Sequence, residues 1–440
     1  MMATRKKRKA KKPPQKKRRT RSKKQKRGDG LLYFGGFILL AVGYAMVMTA
    51  GLGHEPVLTS LDVLPLGFIA SLFALFWLIF RGEGYRGDRI IPLLTCLLAG
   101  LGVLVQFRLG MIKWPEWTQV ATYVFPLGIA VYVIVWAAFR RGRYAMLARF
   151  AFPCWLLAIV VLVGMLAFGQ RFRGGVFLPG NLNPAEVIKP LLAIFMAGML
   201  TQYRKPLQQT VAGLPAPPWQ TWMGLGLLWS VPMALLMVHR DLGMMIILNI
   251  TLLLLIFMAT SRWGYLVGGL IVIALASYAG FQFFSHAQIR YAVWQDPFQD
   301  AMGRGWQVLQ SLSAMFSGGL LGSGLGTGAP GMVPIASSDF VYAVWAEELG
   351  FVGSLWLVSL YLLLYYRGYR IADQIRAPFA QTLAAALVTL LAVQTLMNLG
   401  GVTKAIPLTG ITLPLISHGG SSLLVTCAML GLLTALSEPK

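Results

Sequence analysis

The sequence contains few charged residues, few cysteines and few histidines, and each shortage excludes a class of protein. Only 12% of the 440 residues are charged, about half of the roughly 25% that is typical of soluble globular chains. Hydrophobic residues make up 57% of the chain. The composition therefore excludes a soluble globular protein and predicts an all-α polytopic membrane protein.

The shortage of metal and disulfide ligands is also informative. The three cysteines, Cys96, Cys154 and Cys427, all lie in apolar runs, where cysteine behaves as a small buried hydrophobic residue. Their spacing indicates neither a disulfide framework nor a metal site. No two of the four histidines stand at helical spacing, so we predict no metal site built from histidine.

Acidic residues are absent from the first 28 positions, which hold sixteen of the 39 lysines and arginines. Such a segment cannot bury apolar surface, so we predict a disordered basic tail over residues 1–30. Its charge favours a cytoplasmic position against anionic lipid. An arm that docks an acidic protein is an alternative. A nucleic-acid-binding arm is the least favoured alternative, and no nucleic acid is expected as a partner.

Apolar runs of about 17–25 residues, the length that crosses a bilayer as a helix, predict twelve spans. They cover approximately 31–52, 60–80, 89–107, 118–139, 149–168, 186–201, 219–238, 242–259, 263–284, 340–366, 379–399 and 419–436. With the tail in the cytoplasm, most of the remaining basic links fall on the cytoplasmic side, as the positive-inside rule requires. Both termini are then predicted to be cytoplasmic, and the large loop 285–338 to be extracytoplasmic.

The longest link between spans is a polar, glycine-rich and irregular segment from His286 to Ser338. A link of this length is typical of a functional loop. It runs into a predicted helix that begins near Asp339 and carries Glu347 and Glu348 about two turns further on. Acids near a membrane span are costly and typical of functional sites, although a surface position also explains Asp339. The run GSGLGTG does not indicate a dinucleotide site, because no strand precedes it.

Three further polar clusters interrupt the apolar pattern. Glu186 and Lys189 stand three residues apart at the start of a span, where they can form an ion pair. Asp241 lies in a tight turn between two spans, and Lys404 and His418 lie in a segment rich in glycine, proline and serine. An ordinary helix start and a solvated turn are structural alternatives for the first two clusters. All clusters fall on the predicted outer side, which favours one outward-opening cavity for a phosphate or pyrophosphate headgroup.

Four motifs resemble those of a known family. NPAEVIK resembles Q-P-S-E-x-x-K, and RDLG resembles Q-P-D-L-G. SDFVYAVWAEELGFVG is similar to T-D-F-I-F-A-V-x-A-E-E-L-G-x-x-G, and NLGGVTKAIPLTGITLPLISHGGSSL resembles N-x-G-x-x-x-G-x-x-P-x-x-G-x-x-L-P-x-x-S-Y-G-G-S-x-L. By their order and spacing the chain is identified as a member of the SEDS family (shape, elongation, division and sporulation), typified by RodA, FtsW and SpoVE. The resemblance covers about residues 89–436 and implies a ten-span core, with two extra N-terminal spans in residues 31–80.

The resemblance implies a peptidoglycan glycosyltransferase in the bacterial cytoplasmic membrane. Such an enzyme polymerises lipid II, an undecaprenyl-pyrophosphate-linked disaccharide peptide, on the outer face, in cell elongation, division or sporulation. A class B penicillin-binding protein is the implied partner. Asp339 matches the catalytic aspartate of the family. The predicted substrate-binding residues are Arg173, Glu186, Lys189, Asp241, Glu347, Glu348, Lys404, Ser417 and His418.

The chain departs from the family pattern at four positions. Gly174 replaces the tryptophan after the arginine at position 173, and His418 replaces the tyrosine before Gly-Gly-Ser. Asn183 and His239 replace the glutamines of the first two motifs.

The implied reaction is attack by a sugar hydroxyl on an anomeric carbon that carries a polyprenyl pyrophosphate. The hydroxyl needs a general base, and Asp339 is predicted to be that base. The leaving group needs charge neutralisation by Arg, Lys or a divalent cation such as Mg²⁺ or Mn²⁺; no other cofactor is predicted. Two other functions stay open: a flippase or transporter for a polyprenyl-linked cell-wall precursor, and an inactive scaffold that recruits a penicillin-binding protein.

Overall fold

The computed structural model describes residues 23–51, 63–81, 85–110, 120–172, 175–177, 183–211 and 214–438. The fifteen α-helices in these ranges are α1 (Lys23–Gly51), α2 (Leu64–Arg81), α3 (Ile90–Arg108), α4 (Val120–Phe139), α5 (Ala151–Phe168), α6 (Ala185–Gln202), α7 (Arg204–Leu207), α8 (Trp219–His239), α9 (Leu242–Thr260), α10 (Trp263–Phe283), α11 (Ser285–Gln295), α12 (Trp306–Gly318), α13 (Val341–Gln374), α14 (Pro378–Val402) and α15 (Gly420–Leu436). A 3₁₀ helix, Arg143–Phe150, leads into α5.

Twelve of these helices are apolar and correspond one to one to the twelve predicted spans. Eight contain a stretch long and apolar enough to cross a membrane, and four, in α2, α4, α10 and α15, have shorter apolar stretches. The predicted polytopic helical fold is confirmed. The sequence did not predict two small antiparallel hairpins, which pair Gln170–Phe172 with Gly175–Phe177 and Thr210–Val211 with Leu214–Pro215.

The helix α14 lies at the centre of the bundle, in contact with α6, α9, α13 and α15. In its apolar stretch 78% of the residues are buried within the protein, compared with 17% for the stretch that contains α5. Peripheral helices such as α5 instead expose large apolar side chains, for example Phe152 and Val160, which suits contact with lipid. The polar side chains of α14, Gln394 and Asn398, are therefore inside the protein, where they must find hydrogen-bond partners.

The segment His286–Ser338 is less irregular than predicted, because it contains the two helices α11 and α12. The prediction of an irregular segment is wrong over these residues. The helix α12 packs against α13 and buries one face, which includes Val308, Ser311 and Ala314. That spacing of three residues is the helical periodicity, and the surrounding glycines obscured it in the sequence.

The helix α13 is interrupted at Gly350, whose φ is 65° and ψ is −164°. The segment after α12 fills the interruption with backbone hydrogen bonds. The amides of Ser323 and Gly324 donate to the carbonyls of Glu347 and Glu348 at 2.9 and 3.0 Å, and the amide of Phe351 donates to the carbonyl of Gly319 at 3.0 Å. Only glycine fits at position 350, because a β-carbon there would lie 2.3 Å from the amide nitrogen of Gly322.

Candidate active site

Asp339 lies two residues before α13, at the junction of the long segment and the helix. The carboxylate oxygen Oδ1 accepts a hydrogen bond from Ser338 Oγ at 2.8 Å. The backbone carbonyl of Asp339 accepts from Asn398 Nδ2, on α14, at 2.9 Å. The side chain is half-buried, so this carboxylate is fixed by the protein and is still accessible from the protein surface.

The two residues before Asp339 are also fixed by donors from distant parts of the chain. Ser417 Oγ donates to the carbonyl of Ser338 at 2.6 Å. The carbonyl of Ser337 accepts from the His418 amide at 2.7 Å and from Gln106 Nε2, on α3, at 2.9 Å. Ser417 and the amide of His418 therefore position the backbone that carries Asp339, a role that the sequence did not distinguish from substrate binding.

Glu186 and Lys189 form the ion pair that their spacing predicts. Lys189 Nζ donates to Glu186 Oε2 at 2.5 Å and to Gln394 Oε1 at 2.8 Å. The lysine side chain is 2% exposed and the glutamate side chain 14%. Gln394 Nε2 donates in turn to the carbonyl of Thr412 at 2.9 Å. The network thus joins α6 through α14 to the segment that leads to Ser417.

Asp241 caps α9, with Oδ1 accepting from the Met244 amide at 3.0 Å. Burial raises the pKa of Asp241, and the neighbouring charge of Glu186 raises it too. The hydrogen bond from the Met244 amide and the charges of Lys189 and Arg290 act in the opposite direction. Asp241 therefore lies near the Glu186–Lys189 ion pair of α6, and these three residues form one charged neighbourhood.

Arg290, on α11, is a charged residue of this neighbourhood that sequence reasoning did not select as a site residue. Its Nη1 donates to the carbonyl of Thr409 at 3.0 Å. Burial lowers the pKa of Arg290, while the charges of Asp241 and Asp339 raise it. No sequence pattern could have revealed it, because it lies in the long segment, far along the chain from every motif.

Gly410 marks the place where Arg290 and Asp339 approach each other. Its φ is +74°, a conformation that glycine adopts without strain. A β-carbon at this position would lie 3.5 Å from Asp339 Oδ2 and 3.8 Å from Arg290 Nη2. The carboxylate and the guanidinium therefore lie next to the same position, which glycine leaves free of a side chain.

Glu347 and Glu348 are buried and have partners inside the protein. Glu348 Oε1 accepts from Arg108 Nε, and Oε2 from the Gly326 amide, both at 2.9 Å. Glu347 Oε1 accepts from the Ala329 amide at 2.9 Å. The two amide bonds attach the glycine-rich segment to α13, and the Arg108 bond attaches α3 to it. Glu347 Oε2 is buried and has no hydrogen-bond partner among the described residues. The prediction that they bind substrate stays a prediction.

The remaining predicted site residues have different surroundings. Lys404 is half-buried, with a φ of 60° and its Nζ 3.5 Å from the carbonyl of Gln295. The His418 side chain is half-buried, and burial lowers its pKa. Arg173 and Gly174 lie outside the described residues. Within the described part of the chain, no group of three or more His, Cys, Asp or Glu side chains could hold a metal ion.

The FtsW/RodA/SpoVE family model, described as "Cell cycle protein", matches residues 88–440. The chain belongs to this family. The family match begins just before α3 and leaves α1 and α2 outside it.

Family members with curated names cover most of the chain. "Peptidoglycan glycosyltransferase RodA" of Mycobacterium tuberculosis is 33% identical over 375 residues, which is 81% of this chain and 79% of that protein. "Probable peptidoglycan glycosyltransferase FtsW" of Geobacter metallireducens is 30% identical and covers 80% and 95%. "Stage V sporulation protein E" of Bacillus subtilis is 30% identical and covers 80% and 97%. The activity that the motifs imply is the one that the first two names print.

Solved structures of the family share the fold. A chain from a structure titled "Structural coordination of polymerization and crosslinking by a peptidoglycan synthase complex" matches with a TM-score of 0.64 at 25% identity, over 80% of this chain and 98% of that one. The crystal structure of RodA from Thermus thermophilus matches with a TM-score of 0.57 at 25% identity, over 81% and 98%. The helical arrangement described above is therefore that of FtsW/RodA/SpoVE proteins.

Proposed function

We propose that this protein is a peptidoglycan glycosyltransferase that polymerises lipid II on the outer face of the bacterial cytoplasmic membrane. The observation that carries the proposal is the position of Asp339. The backbone that carries its carboxylate is held next to α13 by side chains of α3 and α14 and by Ser417, and Arg290 lies across Gly410 from the carboxylate. The curated names of the family members with 30% identity or more support the same activity.

In the proposed reaction Asp339 is the general base. Its carboxylate takes the proton of the acceptor sugar hydroxyl as the hydroxyl oxygen forms a bond to the anomeric carbon of the donor. The bond from that carbon to the pyrophosphate oxygen breaks, and the polyprenyl pyrophosphate leaves with the electron pair. A single displacement of this kind inverts the configuration at the anomeric carbon.

The pyrophosphate leaving group requires neutralisation of its negative charge. Lys189 and Arg290 are cations of the described neighbourhood, and Arg173 and Lys404 are the additional cations that the sequence predicts. A divalent cation such as Mg²⁺ or Mn²⁺ is a further candidate. Polymerisation in the presence of a chelator, with each cation added back, tests this point.

The proposed orientation places both termini in the cytoplasm and the polar site outside. The basic links after α2, α4, α6 and α13 then face the cytoplasm, in agreement with the positive-inside rule. The basic tail lies against anionic lipid of the inner leaflet in this proposal. The orientation is tested with single cysteines introduced at positions 10 and 300 and a membrane-impermeant thiol reagent on intact cells. The reagent should label position 300 and not position 10.

A class B penicillin-binding protein is the proposed partner. The solved structure with the higher of the two TM-scores above comes from a complex for polymerisation and crosslinking, and the two activities must act on the same glycan strand. Co-purification of the two proteins from membranes tests the association.

The experiment that tests the function is polymerisation of labelled lipid II by the purified full-length protein, with and without a class B penicillin-binding protein. Asp339→Asn removes the proton acceptor and keeps the side-chain size, and Asp300→Asn, at an exposed acid of the long segment, is the matched control. Glycan chains from the wild type and the control, but not from Asp339→Asn, support the proposal. Folded wild-type protein that makes no glycan under any partner or cation condition contradicts it.

A further inference from the structure

Two side chains of the helix α11 bind the same segment of the chain. Arg290 Nη1 donates to the carbonyl of Thr409 at 3.0 Å, and Trp294 Nε1 donates to the carbonyl of Lys404 at 3.0 Å. The two residues are four apart, so they lie on one face of the helix. Together they bind α11 to residues 404–409, immediately before Gly410.

The two attachments use different chemistry for the same structural task. Trp294 anchors its end of α11 with a neutral N–H group, which costs less to desolvate than a charge and is hydrogen-bonded here. Arg290 carries a full charge into a half-buried position, and burial of a charge is unfavourable unless other charges compensate for it. An anchor alone does not require that charge. A second function for the guanidinium accounts for it.

Two carboxylates, Asp241 and Asp339, supply the compensating charge. Burial lowers the pKa of the guanidinium, and the charges of both carboxylates raise it. Arg290 Nη2 and Asp339 Oδ2 lie within 3.8 and 3.5 Å of the same point above Gly410. The titratable groups near Asp241 besides Arg290 are Glu186 and Lys189, and these two already form an ion pair with each other.

We propose that Arg290 is the positioning residue of Asp339, and that the charge of its guanidinium acts on the Asp339 carboxylate across Gly410. The proposal rests on the proposed function, in which Asp339 is the general base. A cation near a carboxylate favours its ionised form. The base is thereby kept ready to accept a proton by a charge that α11, a helix outside the membrane spans, carries.

This role has a signature that a purely structural anchor lacks. If the guanidinium is lost, protonation of the general base becomes easier, so polymerisation should fail at a higher pH than in the wild type. If only the attachment of α11 is weakened, the rate should fall at every pH and the shape of the pH profile should stay the same.

The test compares four variants of the purified full-length protein in lipid II polymerisation from pH 5 to 9. We expect Arg290→Gln to lower the rate at neutral pH about tenfold or more. The acidic limb of the pH–rate profile, where the rate falls as the base becomes protonated, should move to a pH higher by roughly one unit. Arg290→Lys keeps the charge and should restore most of the limb position. Trp294→Phe removes the neighbouring anchor, and Arg304→Gln removes an exposed arginine of the same long segment; neither should move the limb.

The proposal is overturned if the acidic limb of Arg290→Gln coincides with that of the wild type, or if Trp294→Phe moves it equally. A wild type that makes no glycan at all would remove the proposed function but would still leave Arg290 testable. In that case the ionisation of Asp339 is followed by infrared difference spectroscopy between wild type and Asp339→Asn. A midpoint that rises in the Arg290→Gln background supports the positioning role, and an unchanged midpoint overturns it.

Discussion

Glu348 offers a decisive test of whether the buried acids of α13 stabilise the protein or bind substrate. The change Glu348→Gln removes the negative charge of the carboxylate to which Arg108 Nε and the Gly326 amide donate. The side chain of Glu348 is 3% exposed and that of Arg108 is 22% exposed. Arg108 also donates to the carbonyl of Gly328 at 2.8 Å, and this bond is independent of the charge on Glu348.

The expected loss of stability follows from these contacts. Breaking a fully buried ion pair by removing one partner costs about 3–5 kcal/mol. The partial exposure of Arg108 and its remaining bond to Gly328 reduce that cost, so we expect about 2–3 kcal/mol for Glu348→Gln. A double-mutant cycle with Arg108→Met should show a coupling of about 1–3 kcal/mol between the two side chains.

The assay is unfolding of the purified protein in detergent, combined with limited proteolysis of the segment 319–328. Asp300→Asn is the control, because it makes the equivalent acid-to-amide change at an exposed position, where the effect should stay within about 0.5 kcal/mol. Our reasoning is refuted if Glu348→Gln unfolds like the wild type, or if the coupling with Arg108 is absent. Loss of polymerisation without any change in unfolding or proteolysis would instead support the substrate-binding role that the sequence predicts.

Three further predictions concern the ion pair of α6, the cap of α9 and the basic tail. Glu186→Gln leaves the Lys189 ammonium buried without its carboxylate and should destabilise the protein by about 3 kcal/mol. The double variant with Lys189→Met should recover much of that loss. Both are measured by unfolding in detergent. Asp241→Asn keeps a capping oxygen and removes a carboxylate whose pKa is raised by burial. The wild-type carboxylate costs no stability below its usual pKa of 3.8 and an increasing amount as the pH rises above it. The amide variant should therefore unfold at an equal or higher temperature at pH 7, with the difference vanishing towards pH 4. Removal of residues 1–28 should leave the intrinsic polymerisation rate unchanged, because the tail lies outside the family match, as lipid II polymerisation by the truncated protein will show.

Each of these predictions has a result that contradicts it. For Glu186, equal destabilisation of the single and double variants would mean that the buried lysine charge is not the cause. For Asp241, a lower unfolding temperature of the amide variant at pH 7 would show that the carboxylate is stabilising there. For the tail, a folded protein without residues 1–28 that cannot polymerise lipid II would show that the intrinsic activity depends on the tail.

The spans were predictable because their cause is local. A helix must supply its own backbone hydrogen bonds in lipid and must be long enough to cross it, so length and apolar composition define each span without knowledge of its neighbours. The family motifs likewise selected Asp339, Asp241, Glu186 and Lys189, and the structure places interactions among these residues and Arg290. Their roles in the reaction stay predictions until the variants are measured.

The surroundings of the acids were not predictable, because they depend on contacts between distant parts of the chain. Glu347 and Glu348 share a motif with Asp339, yet their partners are in the glycine-rich segment and on α3. Arg108 and Glu348 are 240 positions apart. No local pattern indicates that such a pair will meet.

The sequence by itself determined the class of protein, the twelve apolar helices and the family, since each depends on composition, run length or short motifs. The tertiary structure alone decided which polar residues share one site. Lys189 meets Gln394 across 205 positions, and Arg290 lies near Asp339 because α11 is bound to residues 404–409. The physical reason is that a buried charge must find its partners in space, and packing of the helices determines which residues are near enough to serve.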